Sequence, residues 1–217
     1  MEFNDNWALK LAAAIAVIFI MQSLFHTLTQ IYLLDSQKVV QQPWTLITSI
    51  FLHADLTHLL LNGFALVIFG MILENIIGSR KFLIYFFATG IAASIIFVLG
   101  VPIVQMAQGA SATSALGASG AIFGIMGVLA VLRPNLVVYI GFFPMPMWLA
   151  AIIWALQDFF GIFIPSNIAN FAHLGGLFLG ILIGLSLTGG KIEIGKKNQG
   201  HGPLSEDELS RWEKENM

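Results

Sequence analysis

The chain has 217 residues, 57% of them hydrophobic and only 10% charged, with a mean hydropathy of +0.84 and a formal net charge of −2. Soluble domains carry roughly a quarter charged residues, so this composition excludes an ordinary soluble domain and implies an all-α polytopic membrane protein. The absence of cysteine excludes disulfides, thiolate metal sites and a cysteine nucleophile. Six apolar spans follow in order, at about Trp7–Leu28, Thr57–Ile77, Lys81–Leu99, Ser119–Leu132, Met145–Phe163 and Ile168–Leu187. The first has neither the basic start nor the small-residue cleavage site of a signal peptide and reads as a membrane helix. The connection Thr29–Leu56 is too long for a simple link, and loops of that length usually carry function. Residues 1–188 read as one membrane domain and 189–217 as a solvated tail, in which Ser205-Glu206-Asp207-Glu208 has the pattern of a helix N-cap with a capping box.

Lys and Arg set the orientation. Arg80, Lys81, Arg133, Lys191, Lys196 and Lys197 fall on one side of a six-span chain, and Lys38 on the other. Both termini are therefore expected in the cytoplasm, with the protein in the cell's inner (plasma) membrane and the long first loop outside.

Ser119 opens the fourth span, which is short for a membrane crossing. Fourteen residues separate it from Arg133 at the cytoplasmic end, about 21 Å at about 1.5 Å per residue. In a hydrocarbon core about 30 Å thick, Ser119 lies roughly 9 Å below the outer boundary. The preceding stretch, Gly100–Gly117, is uncharged and rich in small residues, and it is expected to dip into the membrane as irregular backbone. Such backbone is tolerated only when buried in protein or lining a wet cavity, so a water-accessible pocket is expected above Ser119. The same sum from Leu187 puts His173 at the same depth.

A serine hydroxyl becomes a nucleophile when a base takes its proton, and histidine is suited to that task near neutral pH. No acid lies near His173 in sequence. The membrane-depth acids are Asp158 toward the outer end of span five and Glu74 toward the inner end of span two. A Ser119–His173 dyad, rather than a Ser-His-Asp triad, is therefore expected. Donors for the developing oxyanion are the Ser119 backbone amide at a helix start and, from one face of span two, His58 and Asn62 at i and i+4. Gly120 and Gly124 in span four, with Gly176, Gly180 and Gly184 in span six, form small-xxx-small ridges that let the two helices pack closely. Gly117 would let the chain turn into the helix, and Gly120 would let His173 approach. Taken alone, each of these residues fits a structural role, Ser119 as an N-cap or packing residue and Asn62 as an interhelical hydrogen bond. Their order and common depth favour a catalytic set.

These residues resemble the rhomboid intramembrane serine proteases across nearly the whole chain. The matching motifs are Gly117–Gly120 as Gly-x-Ser-Gly, His58–Asn62 as His-x-x-x-Asn with His53 five residues earlier, and Leu73-Glu74 with Gly78. In span six they are Ala172, His173, Gly176 and Gly180. The resemblance implies a six-helix bundle around a short central fourth helix, of the compact prokaryotic type. It implies Ser119 as nucleophile, His173 as general base, and an oxyanion hole of His58, Asn62 and the Ser119 amide. It also implies Phe123 as an aromatic beneath the histidine. The family's loop motif Trp-Arg-x-x-Thr appears here as Trp44, Thr45 and Thr48, with threonine in place of arginine.

The expected activity is endopeptidase cleavage of transmembrane segments of membrane proteins, with membrane lipid as surroundings and without metal, cofactor or nucleic acid. Such a substrate must unwind, which favours segments with Gly or Pro and a small residue at the cut. Span five, bulky with Trp148, Trp154, Phe159 and Phe160 and poor in small-residue ridges, is the candidate to move for lateral entry. The alternative is an inactive rhomboid-like protein that binds membrane-protein clients, although such relatives typically lose the serine or histidine. A transporter is disfavoured by the near absence of charge within spans.

Overall fold

The computed structural model describes residues 5–25, 27–108, 113–164 and 169–189. Four helices are long and apolar enough to cross a membrane: α1 (Trp7–Leu24), α4 (Leu56–Ile77), α5 (Ser79–Gln108) and α8 (Asn170–Leu187). Two shorter apolar helices, α6 (Ser119–Leu132) and α7 (Met147–Gly161), have 14 and 15 residues. At about 1.5 Å per residue each is only about 21–23 Å long. Four of the expected spans thus match helices of crossing length, and the fourth and fifth fall on these shorter helices. Two short helices, α2 (Thr27–Tyr32) and α3 (Thr45–Thr48), and a 3-10 turn at Ser49–Phe51 occupy the long first loop. Two small strand pairings interrupt the expected all-helical chain. β1 (Leu34–Asp35) pairs antiparallel with β2 (Ser114–Ala115), and β3 (Val137–Ile140) pairs with β4 (Phe143–Pro146). The expected tail helix at Ser205–Glu208 lies outside the described residues.

α6 is the centre. Ala121, Ile122, Ile125, Val128 and Leu129 along it are buried, whereas the surrounding helices leave Leu60 and Phe64 (α4), Leu99 (α5), Phe159 and Phe160 (α7) and Phe178 (α8) exposed. A helix with an apolar outward face has a lipid-facing surface, and the chain is an integral, multi-pass membrane protein. α6 approaches α8 almost backbone to backbone. A Cβ on Gly176 would fall onto the carbonyl oxygen of Gly120, and one on Gly180 onto that of Gly124. The expectation that Gly120 makes room for His173 is refined by the same geometry. Its open side meets Ala93 of α5 and the Ala172 carbonyl of α8.

Helix ends explain two further motif residues. Asp55 caps α4 by accepting the His58 N–H at 2.8 Å. Glu74, at the other end of α4 and 1% exposed, accepts the Trp7 N–H at 2.9 Å, the Ala8 N–H at 3.0 Å and the Ser79 hydroxyl at 2.6 Å. A carboxylate from one helix thus caps the N-terminus of another, where the dipole favours negative charge. Gly78, with φ +83, makes the turn from α4 into α5.

One expectation is overturned. The stretch from Gly100 does not leave the helix, because α5 runs on to Gln108 through Pro102. Pro102 does not end it, because a membrane helix tolerates proline where its neighbours satisfy the freed backbone groups. Between Gln108 and Ser119 the irregular backbone, among the described residues, is the segment around β2 and Leu116–Ala118. The loop is well fastened despite Thr45. That residue is buried and donates to the Gln42 carbonyl at 2.6 Å. Thr48 donates to the Tyr32 carbonyl at 3.0 Å, and Ser94 of α5 donates to the Leu46 carbonyl at 3.0 Å.

Candidate active site

Ser119 is the first residue of α6, so its N–H has no carbonyl one turn upstream within the helix. Gly117 precedes it at φ +117, a conformation L side chains rarely adopt. The Gly117 N–H donates to the Ser49 carbonyl at 2.9 Å, which fixes the approach to the helix. His173 lies in the first turn of α8, and its Nε2 is 2.8 Å from the Ser119 Oγ. The two residues expected to be level are therefore in hydrogen-bond contact. Phe123, one turn along α6, stacks under the imidazole with centroids 4.3 Å apart and planes 7° apart.

The absence of an acid at His173 is corrected by the fold. Asp158 of α7, buried, places Oδ1 3.1 Å from His173 Nδ1. Fifteen residues separate the two in sequence, and the packing of α7 against α8 brings them together. The sequence carried a signal for this. Trp154 and Asp158 are at i and i+4 on one face of α7, and Trp154 packs edge-on to Phe123 at 6.3 Å. Trp154 is thus part of the wall of the site rather than only a packing residue.

His58, Asn62 and Ser119 line a common cavity of about 770 Å³, together with Phe123, Trp154 and His173. His58 Nδ1 accepts the Ala54 N–H at 3.4 Å, which leaves the proton of the neutral ring on Nε2. That edge of the ring faces Gly117, where a Cβ would come within 2.8 Å of Cε1 and Nε2. Asn62 donates one amide N–H to the His58 carbonyl at 2.9 Å and has a second to offer. The arrangement brings a hydroxyl–imidazole contact and side-chain N–H donors to one cavity, groups of the kind that acyl transfer uses.

His53 sits behind His58, with ring centroids 5.1 Å apart. Its backbone N–H donates to Gln22 Oε1 at 3.0 Å, and its carbonyl accepts from Gln22 Nε2 at 3.3 Å, so α1 holds this part of the loop. Burial first, and then the neighbouring His58, push its pKa down to about 4. His26 lies outside the described residues.

A family model described as the Rhomboid domain matches residues 40–189. The chain belongs to the rhomboid family. It is 39% identical over 75 residues to "RHOMBOID-like protein 6, mitochondrial" of Arabidopsis thaliana, a match covering 34% of this chain and 24% of that protein. It is 42% identical over 52 residues to "Putative rhomboid protease YdcA" of Bacillus subtilis (strain 168), covering 24% of this chain and 26% of the relative. The chain thus spans about a quarter of the length of the curated relatives it matches. Rhomboid membership supports an intramembrane protease-type function, and the matched region contains every candidate residue named above from His53 to Gly180.

Proposed function

We propose that this rhomboid is a serine endopeptidase that cleaves transmembrane segments of membrane proteins. The observation that carries the reading is the 2.8 Å contact between Ser119 Oγ and His173 Nε2 at the wall of a cavity that His58 and Asn62 also line. His173 takes the hydroxyl proton as Ser119 attacks the scissile carbonyl carbon. The Ser119 N–H, the His58 Nε2–H and the second Asn62 amide N–H receive the oxyanion. His173 then passes the proton to the leaving amine, and water releases the acyl group by the reverse use of the same base.

A helical peptide bond is shielded by its own hydrogen bonds, so the substrate segment unwinds before attack. Segments with Gly or Pro and a small residue at the cut are preferred. The cavity is walled by Leu61, Ala65 and Phe69 of α4 and by Trp154 and Gln157 of α7, which makes the α4–α7 side the entry route. The protein acts in the inner (plasma) membrane with both termini cytoplasmic and the site opening outward. The test uses purified protein in detergent and a fluorogenic transmembrane substrate. Wild type cleaves it, Ser119→Ala and His173→Ala do not, and a fluorophosphonate labels Ser119. Cleavage by Ser119→Ala at the wild-type rate refutes the reading, and a wild type that binds the substrate without cutting it or reacting with the probe is a client-binding protein instead.

A further inference from the structure

Asp158 occupies a place where an acid is costly. It is 5% exposed within an apolar helix whose neighbouring Phe159 and Phe160 face outward, and an ionisable group at membrane depth needs a partner. The partner is His173 Nδ1 at 3.1 Å. The titratable groups that face His173 come from three elements: Ser119 on α6, His58 across the cavity on α4, and Asp158 on α7. Phe123 covers one face of the ring.

We propose that Asp158 is a positioning residue for His173, and that it ties the competence of the base to the seating of α7. The inference rests on the protease reading above. The carboxylate accepts the Nδ1–H, selects the tautomer whose Nε2 faces Ser119, and stabilises the imidazolium formed when the serine proton moves across. α7 is seated at this end by two contacts. Gln108, the last residue of α5, donates through Nε2 to the Ile162 carbonyl at 2.7 Å and the Ile164 carbonyl at 3.1 Å. Gly161 passes so close to α8 that a Cβ there would meet the Asn170 side chain at 2.8 Å. The same helix walls the cavity through Trp154 and Gln157. A displacement of α7 that widens the cavity therefore withdraws the carboxylate from His173. The base is fully oriented only when α7 has returned.

The test compares wild type with Asp158→Asn on the fluorogenic substrate, after wild type and Ser119→Ala have established the protease activity itself. Absence of cleavage in wild type would sink the protease reading and not this one in particular. The expected result for Asp158→Asn is a kcat lower by about tenfold or more, a KM within about twofold, and an unchanged melting temperature. A kcat within about twofold of wild type overturns the proposal. A second measurement uses the intact wild type and needs no folded variant. The protein carries five histidines, and 15N-histidine NMR, with His173 assigned by loss of its signals in His173→Ala, reads the tautomer directly. A protonated Nδ1 at neutral pH supports the assignment, and a neutral ring protonated on Nε2 overturns it.

Discussion

Glu74 offers a stringent test of how the bundle is held together. Its carboxylate is 1% exposed and accepts three hydrogen bonds, two from the first turn of α1 and one from the Ser79 hydroxyl. Replacing it with alanine leaves the Trp7 and Ala8 N–H groups without the acceptor that caps them. Bonds to a charged acceptor contribute about 1.5–3 kcal/mol each and are not additive. A buried donor left unsatisfied costs about 1–3 kcal/mol, so a loss of about 3–5 kcal/mol is expected for Glu74→Ala. At about 2–4 °C per kcal/mol for a chain of this size, the melting temperature falls by about 10 °C. Glu74→Gln keeps one acceptor oxygen but turns an NH2 group toward a donor, so about half that loss is expected. The assay is thermal unfolding in detergent at fixed protein concentration, with hydrogen exchange at Trp7 and Ala8 as the local readout. Exchange there should accelerate before the rest of the bundle opens. A Glu74→Ala protein that melts within about 2 °C of wild type would refute the reasoning.

Three further outcomes follow from the same geometry. In the native state His53 has its pKa depressed to about 4, whereas the unfolded chain titrates near 6.5. The unfolded state therefore binds the extra proton between these values, and the His53 contribution to stability is full above about pH 6.5 and lost as the pH falls toward about 4. The whole window is worth about 3 kcal/mol, and His53→Phe should flatten the melting-temperature profile across it; parallel profiles would count against the assignment. Gly180→Ala drives a Cβ onto the Gly124 carbonyl, where backbone cannot give way, so α6 and α8 separate at a cost of about 3 kcal/mol or more and fluorophosphonate labelling is lost; a normally labelled variant would contradict this. Gly117→Ala meets both a φ of +117 and the His58 ring at 2.8 Å, and on the proposed mechanism it should lower kcat about a hundredfold by displacing His58 from the oxyanion, while retained His173–Ser119 contact keeps the probe reaction measurable.

Much of the helical core was legible because its signals are local. Ser119–Leu132 is the observed α6 to the residue, since Gly117 turns the chain in and Arg133 ends the apolar run. The glycine ridges read from the sequence do meet across α6 and α8, and Gly127, outside the pattern that was read, joins them against Leu177 and Gly180. The carry-on of α5 to Gln108 was not legible, because Gly100 and Pro102 are helix stops in water and tolerated residues in a packed membrane helix. The hairpin of β3 and β4 lies mostly in the connection before the fifth apolar run and overlaps it only at Met145 and Pro146, where short apolar pattern reads equally well as helix or strand. Asp158 was visible as a membrane-depth acid, but its distance from His173 depends on how α7 packs against α8, and no local pattern encodes that packing.

The long first loop has a physical reason to exist that the chemistry alone does not supply. The chain leading into α6 runs without helical hydrogen bonds, and backbone groups buried without partners are costly. In this rhomboid the loop provides the partners. Leu34 and Asp35 pair with Ala115 and Ser114, the Ser36 N–H donates to the Thr113 carbonyl at 2.8 Å, and the Ser49 carbonyl accepts from Gly117. The loop is in turn fastened to α1 through Gln22 and to α5 through Ser94. Threonine at position 45 is therefore compatible with a fixed loop, because these contacts anchor it independently of an arginine side chain. Position 119 is accordingly set from two sides, by the loop that satisfies the descending backbone and by the glycine seam that locks α6 against α8. Loosening either side should displace the serine before it unfolds the bundle, so loss of probe reactivity below the melting temperature is the expected first symptom of damage to Ser94 or Gln22.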